Sequence, residues 1–168
     1  MNDVLAGLFE LPNLHPVVVP VPIGLLAGSV LLDLLAFATG APQLWTTGRW
    51  TLWLGTLGLG LAILTGDPAA ESVGPFLGAD AEALMERHHE LGMIALVACG
   101  ILSVWRLVAP ARWRAQYLLL AAATLAIVAI GADLGGLLVF RHGVGVRATA
   151  DSLQGRTGAE RRRPTPGD

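Results

Sequence analysis

Lysine is absent from this chain, cysteine occurs once, and charged side chains of every kind make up only 14% of its 168 residues. The basic residues are therefore all arginine. With a net charge of −2, and with Arg156 and Arg161 to Arg163 confined to a short polar tail, they leave no cationic face for nucleic acid. Cys99 has no partner for an internal disulfide. The opening MNDVLAGLFELPNL carries no basic residue ahead of its first apolar run, so it does not read as a secretory leader. A Ser-His-Asp order, CxxC, a P-loop and HExxH are all missing, which removes the usual signatures of hydrolase, thiol-redox, nucleotide and metalloprotease chemistry. An enzyme is not indicated.

What the chain has instead is apolar length. It is 54% hydrophobic with a mean hydropathy of +0.61, more than a soluble domain needs. Residues 13 to 40, NLHPVVVPVPIGLLAGSVLLDLLAFATG, pass three prolines and then run apolar around a single carboxylate, Asp33. Eighteen or more such residues suffice for a helix to cross a hydrocarbon layer of roughly 30 Å. Because Pro20 and Pro22 lack an N–H and restrict their neighbours, this first span is expected to start near Pro22, leaving His15 on an extended interfacial segment.

Three further spans follow. The expected boundaries are about 22–39, 49–66, 89–108 and 115–140, inside a membrane domain covering 13–147. Residues 1–12 read as an amphipathic interfacial lead-in and 148–168 as an unstructured polar tail. The loop after residue 65, GDPAAESVGPFLGADAE, is expected to stop the second span. Small residues line the spans: Gly24 and Gly28 on the first, Gly58, Ala62 and Gly66 on the second, Gly131 and Gly135 on the fourth. The fold class is an all-α, up-down bundle of four transmembrane helices with both termini on one side. Of its two ends, the one with the short turns holds Arg49, Arg112 and Arg114 and all five tryptophans. By the positive-inside rule this arginine end is cytoplasmic and the termini end faces outward.

The threading brings His15, His88, His89 and His142 to the termini end, although they are scattered in sequence. Neutral imidazole ligates haem iron, copper and zinc, and bundles build such sites from histidines on different helices. These four are the candidate cofactor-binding residues, for a haem b or for a copper or zinc ion. His88 shares a helical stripe with Gly92, Ala95, Cys99 and Ser103, the packed side, and His89 lies about 100° round the helix. Against this, interfacial histidines are often only solvated or bonded to backbone, and no tight spacing such as HxxxH occurs. Met85 and Met93 flank His89 but read as filler.

Asp33 and Asp133 lie within apolar spans, where an ionisable group costs several kcal/mol unless paired. At ~1.5 Å per residue Asp33 is about 17 Å along its helix from Pro22 and Arg106 about 22 Å from Leu91, similar depths that favour an Asp33–Arg106 ion pair. Asp133, about 10 Å from its helix end, is placed to orient an imidazole.

LHPVVVPVPIGLLAGSVLLDLL (14 to 35) and LGGLLVFRHGVGV (134 to 146), bracketing four spans, resemble the bacterial membrane-protein family known as domain of unknown function 2231. His15, Pro16, Pro22, Ile23, Gly24, Asp33, His88 or His89, and Gly135 to Phe140 carry the likeness. The resemblance implies a four-helix protein of the bacterial inner membrane. Because some relatives are joined to Rieske-type iron–sulfur domains, it also implies a redox setting with a Rieske-type or cytochrome partner. Two functions stand open: a haem- or metal-binding electron-transfer subunit, or a non-catalytic membrane scaffold or interaction protein. Glycine stripes leave a homo-oligomer open as well. The lipid bilayer is a partner in either case.

Overall fold

The structure, a computed structural model, describes residues 13–108 and 111–145; the interfacial lead-in and the polar tail expected at the two ends lie outside the described residues. Helix α1 (His15–Val18) runs into α2 (Pro20–Thr39), followed by α3 (Pro42–Val73), α4 (Ala79–Val108) and α5 (Arg114–Phe140). Four segments, His15–Thr39, Pro42–Val73, Ala79–Val108 and Arg114–Phe140, are long and apolar enough to cross a membrane.

The helices begin earlier, and one ends later, than the hydropathy alone implies. His15 is helical rather than extended, because Pro16 occupies the first turn, where no backbone donor is needed. Pro20 and Pro22 interrupt the hydrogen-bond ladder without turning the chain out of the helical region: Val19, between α1 and α2, keeps φ −54 and ψ −41. Pro42 likewise opens α3 seven residues before the expected start at Arg49. At its far end α3 passes through Gly66, Asp67 and Pro68 to Val73, where a loop was expected. Once a helix leaves the hydrocarbon its apolar signal fades, but polar side chains do not unwind it. At two helix ends glycine supplies the left-handed backbone. Gly40 (φ 72) closes α2, its N–H donating to the Ala36 carbonyl, and Gly143 (φ 66) closes α5.

Packing follows the small residues. Leu57, Leu64, Leu119 and Phe140 are among the large apolar side chains turned outward, as a lipid-facing surface requires, while Ala95, Cys99, Ser29 and Ala121 are buried. Between lipid tails and leucines there is little hydrophobic drive, so close backbone approach and interhelical hydrogen bonds carry the association.

The buried positions of the two halves fall in register. Pro22, Leu26 and Ser29 are buried on α2, and Ala95, Cys99 and Leu102, each 73 residues later, on α4. Gly48, Leu52, Gly55, Leu59 and Ala62 are buried on α3, and Tyr117, Ala121, Thr124, Val128 and Gly131, each 69 residues later, on α5. The hairpin α2–α3 and the hairpin α4–α5 thus present the same rows inward. Helices α2 and α4 run the same way, as do α3 and α5, so the operation relating the halves is a pseudo-two-fold along the membrane normal. Equivalent residues on α2 and α4 face each other across that axis.

Candidate functional site

At the termini end the axis is flanked by His15 and His88, themselves 73 residues apart. Their rings lie 6.4 Å apart between centroids with planes at 90°. Each is held the same way by the second helix of its own hairpin. His15 Nδ1 is 2.8 Å from the Ala62 carbonyl oxygen and His88 Nδ1 is 2.8 Å from that of Gly131. A carbonyl oxygen only accepts, so Nδ1 is the donating nitrogen, and in a neutral ring Nε2 then carries the lone pair. Thr65 adds a 3.4 Å contact to His15 Nδ1.

One turn beyond each acceptor a glycine makes room for the ring. A Cβ on Gly66 would stand 3.1 Å from His15 Cε1, and one on Gly135 would stand 3.1 Å from His88 Cε1. The two contacts are repeat-equivalent and nearly identical. Close approach is what favours glycine here, since both backbones are plain helix.

The other candidates stand apart from this pair. His89 is exposed and lies 3.4 Å from Asp67 Oδ1 on α3. His142, beyond the end of α5, lines an open pocket of about 350 Å³ with Leu77 to Ala81. Asp133 is exposed on α5. The imidazoles are oriented by the Ala62 and Gly131 carbonyls, acceptors that sequence reading did not identify. Among the described residues no group of three or more His, Cys, Asp or Glu side chains could hold a metal ion. A closed tetrahedral zinc site built from protein alone therefore lacks its donors, whereas two imidazoles are available.

The opposite end of the axis carries a different pair. Asp33 and Arg106, again 73 residues apart, form a salt bridge with both side chains buried. A second guanidinium N–H donates to the Trp45 carbonyl, and the guanidinium carbon is 3.9 Å from the Trp45 ring centre and 4.9 Å from that of Tyr117. Asp33 Oδ1 lies over Gly48, where any Cβ would collide with it at 2.3 Å. Ser29 donates to the Gly48 carbonyl at 2.8 Å and fixes the same approach. Arg114 stacks on Trp45 at 4.8 Å and Arg49 on Trp53 at 5.3 Å. Eighteen residues of helix, about 27 Å at ~1.5 Å per residue, separate Asp33 from His15. Between the two pairs the core holds a gap of about 10 Å³ lined by Ser29, Cys99, Tyr117 and Thr124 among others, room for about one water.

Comparison with known proteins adds one match. No curated protein and no solved structure matches the chain. The family model described as "Predicted membrane protein (DUF2231)" matches residues 11–148, from before the first histidine to beyond the last. That match covers all four membrane helices and both pairs on the axis, and the chain belongs to the DUF2231 family of predicted membrane proteins.

Proposed function

We propose that this protein is an electron-transfer subunit of the bacterial inner membrane in which His15 and His88 ligate one metal centre from opposite sides, haem iron being the centre that the donor set fits best. The observation that carries the reading is the paired imidazole geometry. Two imidazoles that held one metal ion at metal–nitrogen distances of about 2.0 Å would have ring centres on the order of 6 Å apart. The rings here are 6.4 Å apart. Each is already the Nδ1–H tautomer bonded to a carbonyl, the support that metal-ligating histidines ordinarily have. With two imidazole donors at hand, His15 and His88 would hold a haem iron, whose macrocycle brings its own nitrogen donors, and would leave a bare copper or zinc ion under-coordinated.

Haem supplies one-electron chemistry when bound. His15 and His88 would hold it near the membrane surface, within reach of a Rieske-type or cytochrome partner at the termini end, the end that the positive-inside rule would put outside the cell. His89 and His142 sit at the rim of the same end and belong to the surface such a partner would meet.

A second reading draws on the same hydrogen bonds. His15, at the start of α1, and His88, nine residues into α4, each tie one helix to the next helix of its hairpin, which is what a membrane scaffold would want of them. An optical spectrum with metal analysis, recorded on full-length protein purified from haem-replete cells, separates the two. The redox reading expects a Soret band at about one haem per chain, lost in His15→Ala and His88→Ala and kept in His89→Ala and His142→Ala. Absence of any Soret band, with no stoichiometric iron, copper or zinc, overturns it in favour of the scaffold.

A further inference from the structure

We infer that the chain is a tandem repeat of one helical hairpin, and that Asp33 and Arg106 are the recognition pair that makes the first hairpin select the second across the two-fold axis rather than a second copy of itself. The register of buried rows, 73 residues between α2 and α4 and 69 between α3 and α5, establishes the equivalence. At most axial positions the equivalent residues are interchangeable in kind: Pro22 and Ala95, Leu26 and Cys99, His15 and His88. Such rows set no opposite charges across the axis and so do not by themselves oppose a like-with-like pair. They give affinity without choice.

The position occupied by Asp33 in one hairpin and Arg106 in the other is where choice enters. Two first hairpins brought together would set carboxylate against carboxylate in a buried site, and two second hairpins would set guanidinium against guanidinium. Only the mixed arrangement yields the salt bridge. Uncompensated buried charge is among the most costly errors a bundle can make. The surroundings have diverged with the charge. The carboxylate lies over Gly48, and at the equivalent place the guanidinium meets the Tyr117 ring. This pair also fixes which helices share the axis, and so sets His15 opposite His88 some 18 residues away. It stands on the repeat alone and does not depend on any ligand at the histidines.

The test uses two full-length chains with different affinity tags. In one, Asp33→Arg/Gly48→Tyr gives the first hairpin the second one's key; in the other, Arg106→Asp/Tyr117→Gly does the reverse. Expressed singly, each variant is expected to lose the monodisperse monomer peak in detergent. Co-expressed, they are expected to co-purify as a one-to-one dimer. The altered first hairpin of one chain then meets the altered second hairpin of the other, and the native pair re-forms in the remaining half. Tagged copies of the same variant are expected not to co-purify. All four changes in one chain are expected to restore the monomer. The inference is overturned if either two-residue variant runs as a monomer with unchanged melting, or if the four-residue exchange recovers no more folded protein than the two-residue variants.

Discussion

Gly48→Ala adds one methyl group to the middle of α3, a change that helix propensity alone would favour by about 0.8–1 kcal/mol. The structure requires the opposite outcome. The new Cβ would stand 2.3 Å from Asp33 Oδ1, 3.0 Å from its Cγ and 3.4 Å from the Ser29 carbonyl oxygen. To reach ordinary contact the carboxylate would have to retreat by about 1 Å, on the scale at which overpacking costs about 1–3 kcal/mol. It has nowhere to go: Asp33 is 0% exposed, and its Arg106 partner holds it in place. If the retreat also opens the buried salt bridge, the loss moves toward the ~3–5 kcal/mol that accompanies breaking such pairs. With the propensity gain subtracted, the net expectation is a destabilisation of about 0–2 kcal/mol from the overlap alone and about 2–4 kcal/mol where the salt bridge opens, in either case below Gly24→Ala. Gly24→Ala is the control, because a Cβ there meets nothing within 4 Å. Reversible unfolding in detergent micelles measures both. Gly48→Ala as stable as Gly24→Ala would refute the close approach of Asp33 to α3 and, with it, the helix pairing around the ion pair.

Three further expectations follow from the same geometry. Gly66→Ala and Gly135→Ala each place a methyl group 3.1 Å from an imidazole carbon, so both should weaken ligand retention at the histidine pair, while Gly131→Ala, whose nearest contact is 3.7 Å, should not; ligand content per chain after purification reads this directly. His89→Ala removes a half-exposed ion pair with Asp67 and should change stability by no more than ~1 kcal/mol, with ligand content unaltered. A cysteine introduced at Thr46, at the arginine end, should react with an impermeant maleimide only in lysed bacterial cells, and one at Ser72 should react in intact cells. Buried Cys99 stays silent, and the reverse pattern would invert the orientation.

The four membrane helices were legible because hydropathy reports contact with lipid, and lipid is what most of their surface meets. Their ends were not. Pro42 and Pro16 start helices where a proline suggested a break, and α3 stays helical beyond Gly66 where the apolar signal stops. Depth along a helix was also legible. Asp33 and Arg106 count to similar levels, and they meet in a salt bridge. Depth says nothing of azimuth, which is why four histidines at one end read as a single cluster although only His15 and His88 approach each other closely. Two partners of the site carried a visible signal whose meaning was hidden: Ala62 with Gly66, and Gly131 with Gly135, stood out as small-residue stripes, but a stripe does not name the imidazole that packs on it. The internal repeat escaped because the axis fixes which side of a helix is buried, and that constraint is met by residues as unlike as Ser29 and Leu102 or Gly48 and Tyr117.

The central claim is that His15 and His88 would together hold one iron centre, and low-temperature electron paramagnetic resonance of the oxidised protein tests it most directly. With imidazole planes at 90°, the expected result is a strongly anisotropic low-spin ferric signal that turns high-spin or disappears in His15→Ala and in His88→Ala. A high-spin signal in the unaltered protein, or a low-spin signal indifferent to either substitution, would contradict the account.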